Sequence, residues 1–234
     1  MKKLKLENNR RLNDVDLGIL AKYLRKEIIE ISYFKKAHHI GSELSCIDIL
    51  TILYFNIMNF NIKIKNKKYR DFFLLSKGHA ALALYVTLCK KGFFSKEFLN
   101  KEFLNDGGKL GGHPDYNTSL GIEYSSGSLG HGISVGAGIA LAKKRDKIPG
   151  NVYVMIGDGE CNEGMIWEAI LLGSSFKLDN LTVIVDFNNL QGLGNSNKII
   201  KLDPLSKKFE SFGWQTIEVD GHNIQDISDA YKKA

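Results

Sequence analysis

Two short segments carry the residues best suited to chemistry. Gly157-Asp158-Gly159 follows the apolar run 151–156, and Asp186-Phe187-Asn188-Asn189 follows the apolar run 181–185 about thirty residues later. Either alone is most often an ordinary turn, but the order strand, Gly-Asp-Gly, helix, strand, Asn-Asn has few accidental explanations. Mg²⁺ takes oxygen ligands in octahedral geometry, needs only one or two carboxylates, and commonly completes its shell with phosphate oxygens. Asp158 and the side-chain carbonyl of Asn188 meet that need. Gly157 and Gly159 are expected to let the chain turn sharply and to bring backbone amides close to an anion. A diphosphate would fit against the N-terminus of the helix that follows.

Such groups have to be delivered by elements that end together. Residues 151–156 and 181–185 read as strands, and Met165 to Phe176 between them as a crossover helix. Asp71 to Ser76 reads as a buried parallel strand, followed by a helix over 80–89. Leu17, Leu20, Leu24, Ile28 and Ile31 recur at helical spacing within a helix from Asp14 to about Lys36. A break at 38–43 precedes a second helix from Cys46 to Met58, and 59–70 reads as a lysine-rich connection. Gly92 to Ser126 is expected to be loop, and Gly127 to Lys144 a glycine-rich turn feeding a close-packed helix. A short strand is expected at 214–219 and a final helix at 227–233. Strands alternating with helices predict a single α/β domain, a doubly wound, mainly parallel sheet with helices on both faces. In such sheets ligands collect beyond the carboxyl ends of the strands.

The bulk properties agree. The 234 residues are 44% hydrophobic and 25% charged, enough for one large domain with a substantial core. Three widely spaced cysteines argue against a disulfide framework or a paired-cysteine zinc site and fit a reducing cytoplasm. The basic start leads into no apolar signal core, and no run of about 18 apolar residues stands out, so neither an export signal nor a membrane span is expected. The net charge of +6 comes from dispersed residues such as Lys2, Lys3, Lys5, Lys63, Lys65, Lys67, Lys68 and Arg70. It reads as solvated surface, compatible with small anionic substrates, and no nucleic-acid partner is expected.

Five segments, in order, make the pattern specific: Ala37-His-His-Ile-Gly-Ser-Glu-Leu-Ser45, Leu75-Ser-Lys-Gly-His79, Leu110-Gly-Gly-His-Pro-Asp115, the glycine-rich run 125–142, and Gly157-Asp-Gly-Glu-Cys-Asn-Glu-Gly164 with its Asn188. Together they resemble the transketolase family over nearly the whole chain. The resemblance implies a thiamine-diphosphate-binding fold whose Mg²⁺ (or Ca²⁺ or Mn²⁺) is held by Asp158, Asn188 and the backbone carbonyl of Leu190. It places Gly127, Leu129, Gly157 and Gly159 at the cofactor and His79 near its diphosphate. His39 and His113 are implied to line the sugar channel, a role suited to imidazole, which bonds hydroxyls and moves protons near neutral pH. Glu163 is implied to support a cofactor-activating glutamate across a subunit interface. His38 is read as incidental, His222 as structural, and His131, where the family often has glutamine, as a possible substrate-facing group.

The activity implied is transfer of a two-carbon ketol unit from a ketose, expected to be a phosphate, to an aldose. No segment resembles the pyrimidine-binding domain that supplies the activating glutamate. The resemblance therefore implies a partner, the C-terminal transketolase subunit, in an α2β2 heterotetramer, with 1–13 as an N-terminal extension and the family's last strand absent. The alternatives are a deoxyxylulose-phosphate-synthase-like or oxo-acid-dehydrogenase-like chain, and a non-catalytic binding protein derived from the fold. The Gly-Gly-His-Pro loop argues against oxo-acid users, since a histidine for sugar hydroxyls is expected of ketose enzymes.

Overall fold

A computed structural model describes residues 11–60 and 69–234; most of the N-terminal extension and of the lysine-rich connection lies outside them. Three parallel strands, β1 (Phe72–Leu75), β2 (Val152–Gly157) and β3 (Leu181–Asp186), form one sheet in the order β1-β2-β3. The register pairs Leu75 with Met155 and Gly157 with Asp186, so all three strands end at one edge.

Alternation along the strands splits the core in two. Phe73, Leu75, Tyr153 and Met155 face a layer built from α1 (Asp14–Lys35), α2 (Ile40–Ile52), α3 (Ala81–Lys91) and α9 (Ile224–Lys233). Leu74, Val152, Val154 and Ile156 face α5 (His131–Arg145) and α6 (Gly164–Ser175). β1 and β2, buried on both faces, read as continuous apolar runs and so are legible as parallel strands, whereas β3 at the sheet edge is only half-buried along its middle. Three short helices complete the set: α4 (Lys96–Glu102), α7 (Ser196–Ile199) and α8 (Leu205–Ser211). A two-stranded antiparallel ribbon, β4 (Leu190–Gln191) with β5 (Gly194–Asn195), follows β3.

Helix α1 fulfils its pattern. The Asn13 side chain accepts from the Asp16 amide at 2.9 Å at its start, and Lys36, in the left-handed region at φ 52°, ends it. Four expectations need correction. The break before α2 is confined to Ala37–His39, because residues 40–43 already form the helix's first turn. The helical run Ile40–Ile57, closing in a π-helical turn from Leu53, is long and apolar enough to cross a membrane by length and composition. It is instead a core helix, with Cys46, Ile47, Leu50, Ile52 and Leu53 wholly buried and Glu43 and Asp48 buried among them. Helix α4 lies within the region expected to be loop, started by Ser95, whose hydroxyl accepts from the Phe98 amide at 3.1 Å, and anchored by buried Leu99. Residues 214–219 form no strand; Trp214 is tied through its indole N–H to the Ile170 carbonyl at 2.8 Å, and the segment carries no ladder.

Buried Glu43 receives the Ser32 hydroxyl at 3.4 Å and a backbone hydrogen bond from Leu82, at the start of α3. Burial pushes its carboxyl up to about 7. The folded state therefore holds a proton that the unfolded chain releases near pH 4.5, and stability attributable to Glu43 falls as pH rises from there through about 7. Glu43→Gln keeps the shape and removes the titration. Its melting temperature relative to the unaltered chain should rise by about 2–4 °C more at pH 8 than at pH 5; equal differences at both pH values would contradict a protonated Glu43.

Candidate functional site

The common strand edge releases three segments into one region. After β1 come Ser76, Lys77 and a short 3-10 turn, Gly78–Ala80, that carries His79. After β2 come Asp158 and a second 3-10 turn, Gly159–Asn162. After β3 come Asn188 and the turn into β4.

Asp158 is 2% exposed, and its Oδ2 has no hydrogen-bond partner among the described residues. Asn162 Oδ1 and Gln191 Nε2 are likewise buried and unpartnered, so three such atoms fall on the segments that follow β2 and β3, Gln191 in β4 itself. Unsatisfied buried polar atoms are rare and mark places where a water, ion or ligand belongs. The Asn188 side-chain oxygen accepts from the Leu190 amide at 2.9 Å, which fixes its direction while leaving a second lone pair. Asn189, at φ 60°, turns the chain from there into β4. The Leu190 side chain is largely exposed. No three His, Cys, Asp or Glu side chains cluster into a metal set among the described residues. A single carboxylate with an amide carbonyl and a backbone carbonyl is instead the sparse oxygen set that suits Mg²⁺ carrying a phosphate group.

The three histidines come together. The His39 ring lies 5.8 Å from both the His79 and the His113 ring, centre to centre. His39 directly precedes α2, and His113 sits on the loop after α4, where the buried Tyr85 hydroxyl lies 3.2 Å from the Gly111 carbonyl and 3.3 Å from that of His113. The glycine-rich loop packs against His113 and the turn that carries His79: a Cβ at Gly78 would lie 2.5 Å from Ser126 Oγ, and one at Gly127 3.9 Å from His113. His38 is an exposed neighbour. His131 brings its Nδ1 to the Leu129 carbonyl at 3.1 Å, within its own turn. His222 is away from the cluster, its Nδ1 2.8 Å from Asp48, whose carboxylate also receives Arg25; this fits the structural reading.

The glycines differ from expectation. Neither Gly157 nor Gly159 is in the left-handed region; Gly159 is required because a Cβ would lie 2.8 Å from Gln191 Cβ. The Gly157 amide is not open to an anion, since it donates to Glu160 at 3.1 Å. Gly130 carries the positive φ, 87°, and faces Glu163, whose Cβ would be 2.9 Å from one at Gly130. Glu163 itself is exposed at the start of α6. Leu129 is partly buried beside Gly130.

Residues 20–234 match the profile of the family described as "Transketolase, thiamine diphosphate binding domain". The chain belongs to the transketolase family. It is 45% identical over 203 residues to one of the subunits of an apulose-4-phosphate transketolase from Phocaeicola vulgatus, covering 87% of this chain and 72% of that one. It is 38% identical over 220 residues to one of the subunits of a 6-deoxy-6-sulfo-D-fructose transketolase from a Clostridium species, covering 94% and 80%. The fold superposes on the crystal structure of transketolase from Campylobacter jejuni with a TM-score of 0.86 at 29% identity, covering 95% of this chain and 36% of that one. As a transketolase-type chain it carries the thiamine diphosphate-binding domain, and the orphaned Asp158 oxygen at the end of β2 suits an ion carrying that group's diphosphate.

Three residues at this strand edge stand inside the quoted segments, yet nothing along the chain assigns them a role. Lys77, wholly buried, pairs with Asp186 at the end of β3, and Asp186 also accepts from Ser45 of α2 at 2.6 Å. The third, Glu160, sits under the Gly-Asp-Gly turn. Lys77 lies within the Leu75–His79 segment, but only the fold reveals its partner, 109 positions away.

Burial, then the Lys77 charge, pushes His79 down to about 4, and burial with His113 and His38 lowers His39. His79 is therefore neutral at pH 7 and can both donate and accept. The unfolded chain binds the His79 proton near pH 6.5 and the fold only near 4, so stability is intact above 6.5 and is lost as pH falls through 4. His79→Gln should flatten this loss between pH 6.5 and 4.5 in urea unfolding; an unchanged slope would refute the depressed histidine.

Proposed function

We propose that this chain is the diphosphate-binding subunit of a split transketolase, which moves a two-carbon ketol unit from a ketose phosphate to an aldose. The observation that carries the reading is the joint presence, at one strand edge, of an unpartnered buried Asp158 oxygen and the His39–His79–His113 cluster. Support for a split enzyme comes from relatives whose names call them subunits and of which the chain covers 72% and 80%. When bound, thiamine diphosphate supplies the electron sink for cleaving a bond beside a ketose carbonyl.

The chain's own residues position and exchange protons. Asp158, Asn188 and the Leu190 carbonyl would hold Mg²⁺, or Ca²⁺ or Mn²⁺ in its place, and with it the diphosphate. Neutral His79 would face that diphosphate. His39 and His113 bond sugar hydroxyls, and His113 can shift a proton as the sugar is cut. Gly127 and Leu129 of the glycine-rich loop would line the cofactor, as would Gly157 and Gly159 at the end of β2. Glu163, exposed next to Gly130, meets a carboxylate supplied by a second chain that bears the pyrimidine-binding domain, in an α2β2 assembly. Three free cysteines suit the reducing cytoplasm as its location.

The test pairs the chain with the product of a neighbouring reading frame that resembles a transketolase second half. The mixture should convert xylulose 5-phosphate with an aldose acceptor and leave pyruvate untouched, and neither chain should act alone. Turnover of pyruvate, or of sugar by this chain by itself, would refute the reading. In calorimetric titration with thiamine diphosphate and Mg²⁺, Asp158→Ala in the assembled complex should weaken binding by about a hundredfold or more. Undiminished affinity would remove Asp158 from the metal site.

A further inference from the structure

Glu160 lies two positions past Asp158 and is 2% exposed. Its partners are hydrogen-bond donors from three different segments. One carboxylate oxygen receives the Ser76 hydroxyl, at the end of β1, and the Gly130 amide at 2.8 Å, in the glycine-rich loop. The other receives the Gly157 amide at 3.1 Å, at the end of β2. Ser76 Oγ in turn accepts from the Gly132 amide at 3.1 Å, in the first turn of α5. Approach there is close enough that a Cβ at Gly132 would lie 2.5 Å from Ser76 Cβ.

Backbone amides converging from glycine-rich turns ordinarily make a nest for an external anion. Here the amides of Gly130 and Gly157 are committed to a side chain of the protein itself. Hydrogen bonds to a charged acceptor are stronger than neutral ones, and in a buried setting leaving their donors unmet is costly. We propose that Glu160 is a positioning residue of the cofactor site. It serves as an internal anion that clamps the β1 end, the glycine-rich loop and the β2 end in the relative placement that a bound diphosphate requires. Both Glu160 carboxylate oxygens are taken up by protein donors, so its role is to place other groups. It sets where Leu129, Asp158 and the start of α5 stand before the cofactor arrives, so the order is already present and need not be created by binding.

This inference rests on the transketolase reading above. Glu160→Gln is the sharp test, because it keeps the volume but replaces one acceptor oxygen by an amide group that must face an N–H donor. In the assembled complex with its partner chain, the affinity for thiamine diphosphate plus Mg²⁺ should fall about ten- to a hundredfold. At saturating cofactor, kcat should stay within about threefold, so the defect appears in the cofactor KM. The rise in melting temperature caused by cofactor should shrink. Ser76→Ala removes one leg and should shift affinity in the same direction by less; if Glu160→Gln fails to fold, this variant gives the same reading. The double variant should lose less than the two single losses combined, since both act through one cluster. A variant that melts lower without cofactor but binds it with unchanged affinity would reduce Glu160 to a packing role and overturn the inference. Failure of the unmodified complex to bind thiamine diphosphate would instead overturn the functional reading on which it stands.

Discussion

Parallel pairing of β1, β2 and β3, with their carboxyl ends at one edge, is the constraint from which the site follows. A parallel ladder leaves no freedom to slide, because a one-residue slip would turn every core side chain to the wrong face. Leu74 and Leu75 must therefore enter opposite cores, as must Val154 and Met155. With the register fixed, Ser76, Asp158 and Asn188 leave the sheet at one edge whatever the loops do next. The chemistry sits on loops, but the sheet decides where those loops begin.

The groups behind that edge are unusually polar for a core. Lys77 and Asp186 are buried together, with Ser45 completing the carboxylate's partners. A buried pair of this kind contributes little net stability, since desolvation offsets most of its attraction, yet removing one member costs about 3–5 kcal/mol by stranding the other. Its value lies in specificity. It ties the exit of β1 to the exit of β3 and to α2, so the His79 turn, the Asn188 loop and the segment bearing His39 are set relative to one another.

Much of this is legible in the residues. The strands, α1, α3, α5 and α6 declare themselves by period and by glycine punctuation, and Asp158, Asn188 and the three histidines stand in recognisable motifs. What escapes has physical causes. Helix α4 is short and mostly polar, so only its Ser95 cap and Leu99 mark it. The expected strand at 214–219 has the right residue types, but Trp214 is claimed by α6 through its indole and the segment pairs with nothing among the described residues. The start of α2 is hidden because its first turn is polar and carries Gly41, while its apolar length disguises a core element that holds Glu43 and Asp48. Glu160 and Lys77 stand in plain view, but partners 84 and 109 positions away cannot be read along a chain.

Gly130 joins two demands at one atom. Its backbone stands at φ 87°, where a side chain is strained, and the space a Cβ would fill is held by Glu163. Trimming Glu163 would relieve the crowding and leave the strain; relaxing the backbone would withdraw the amide that Glu160 holds. Each adjustment meets one demand and leaves the other. The position is closed to stepwise sequence drift, and descendants of this chain can diversify around the loop only by leaving its turn intact.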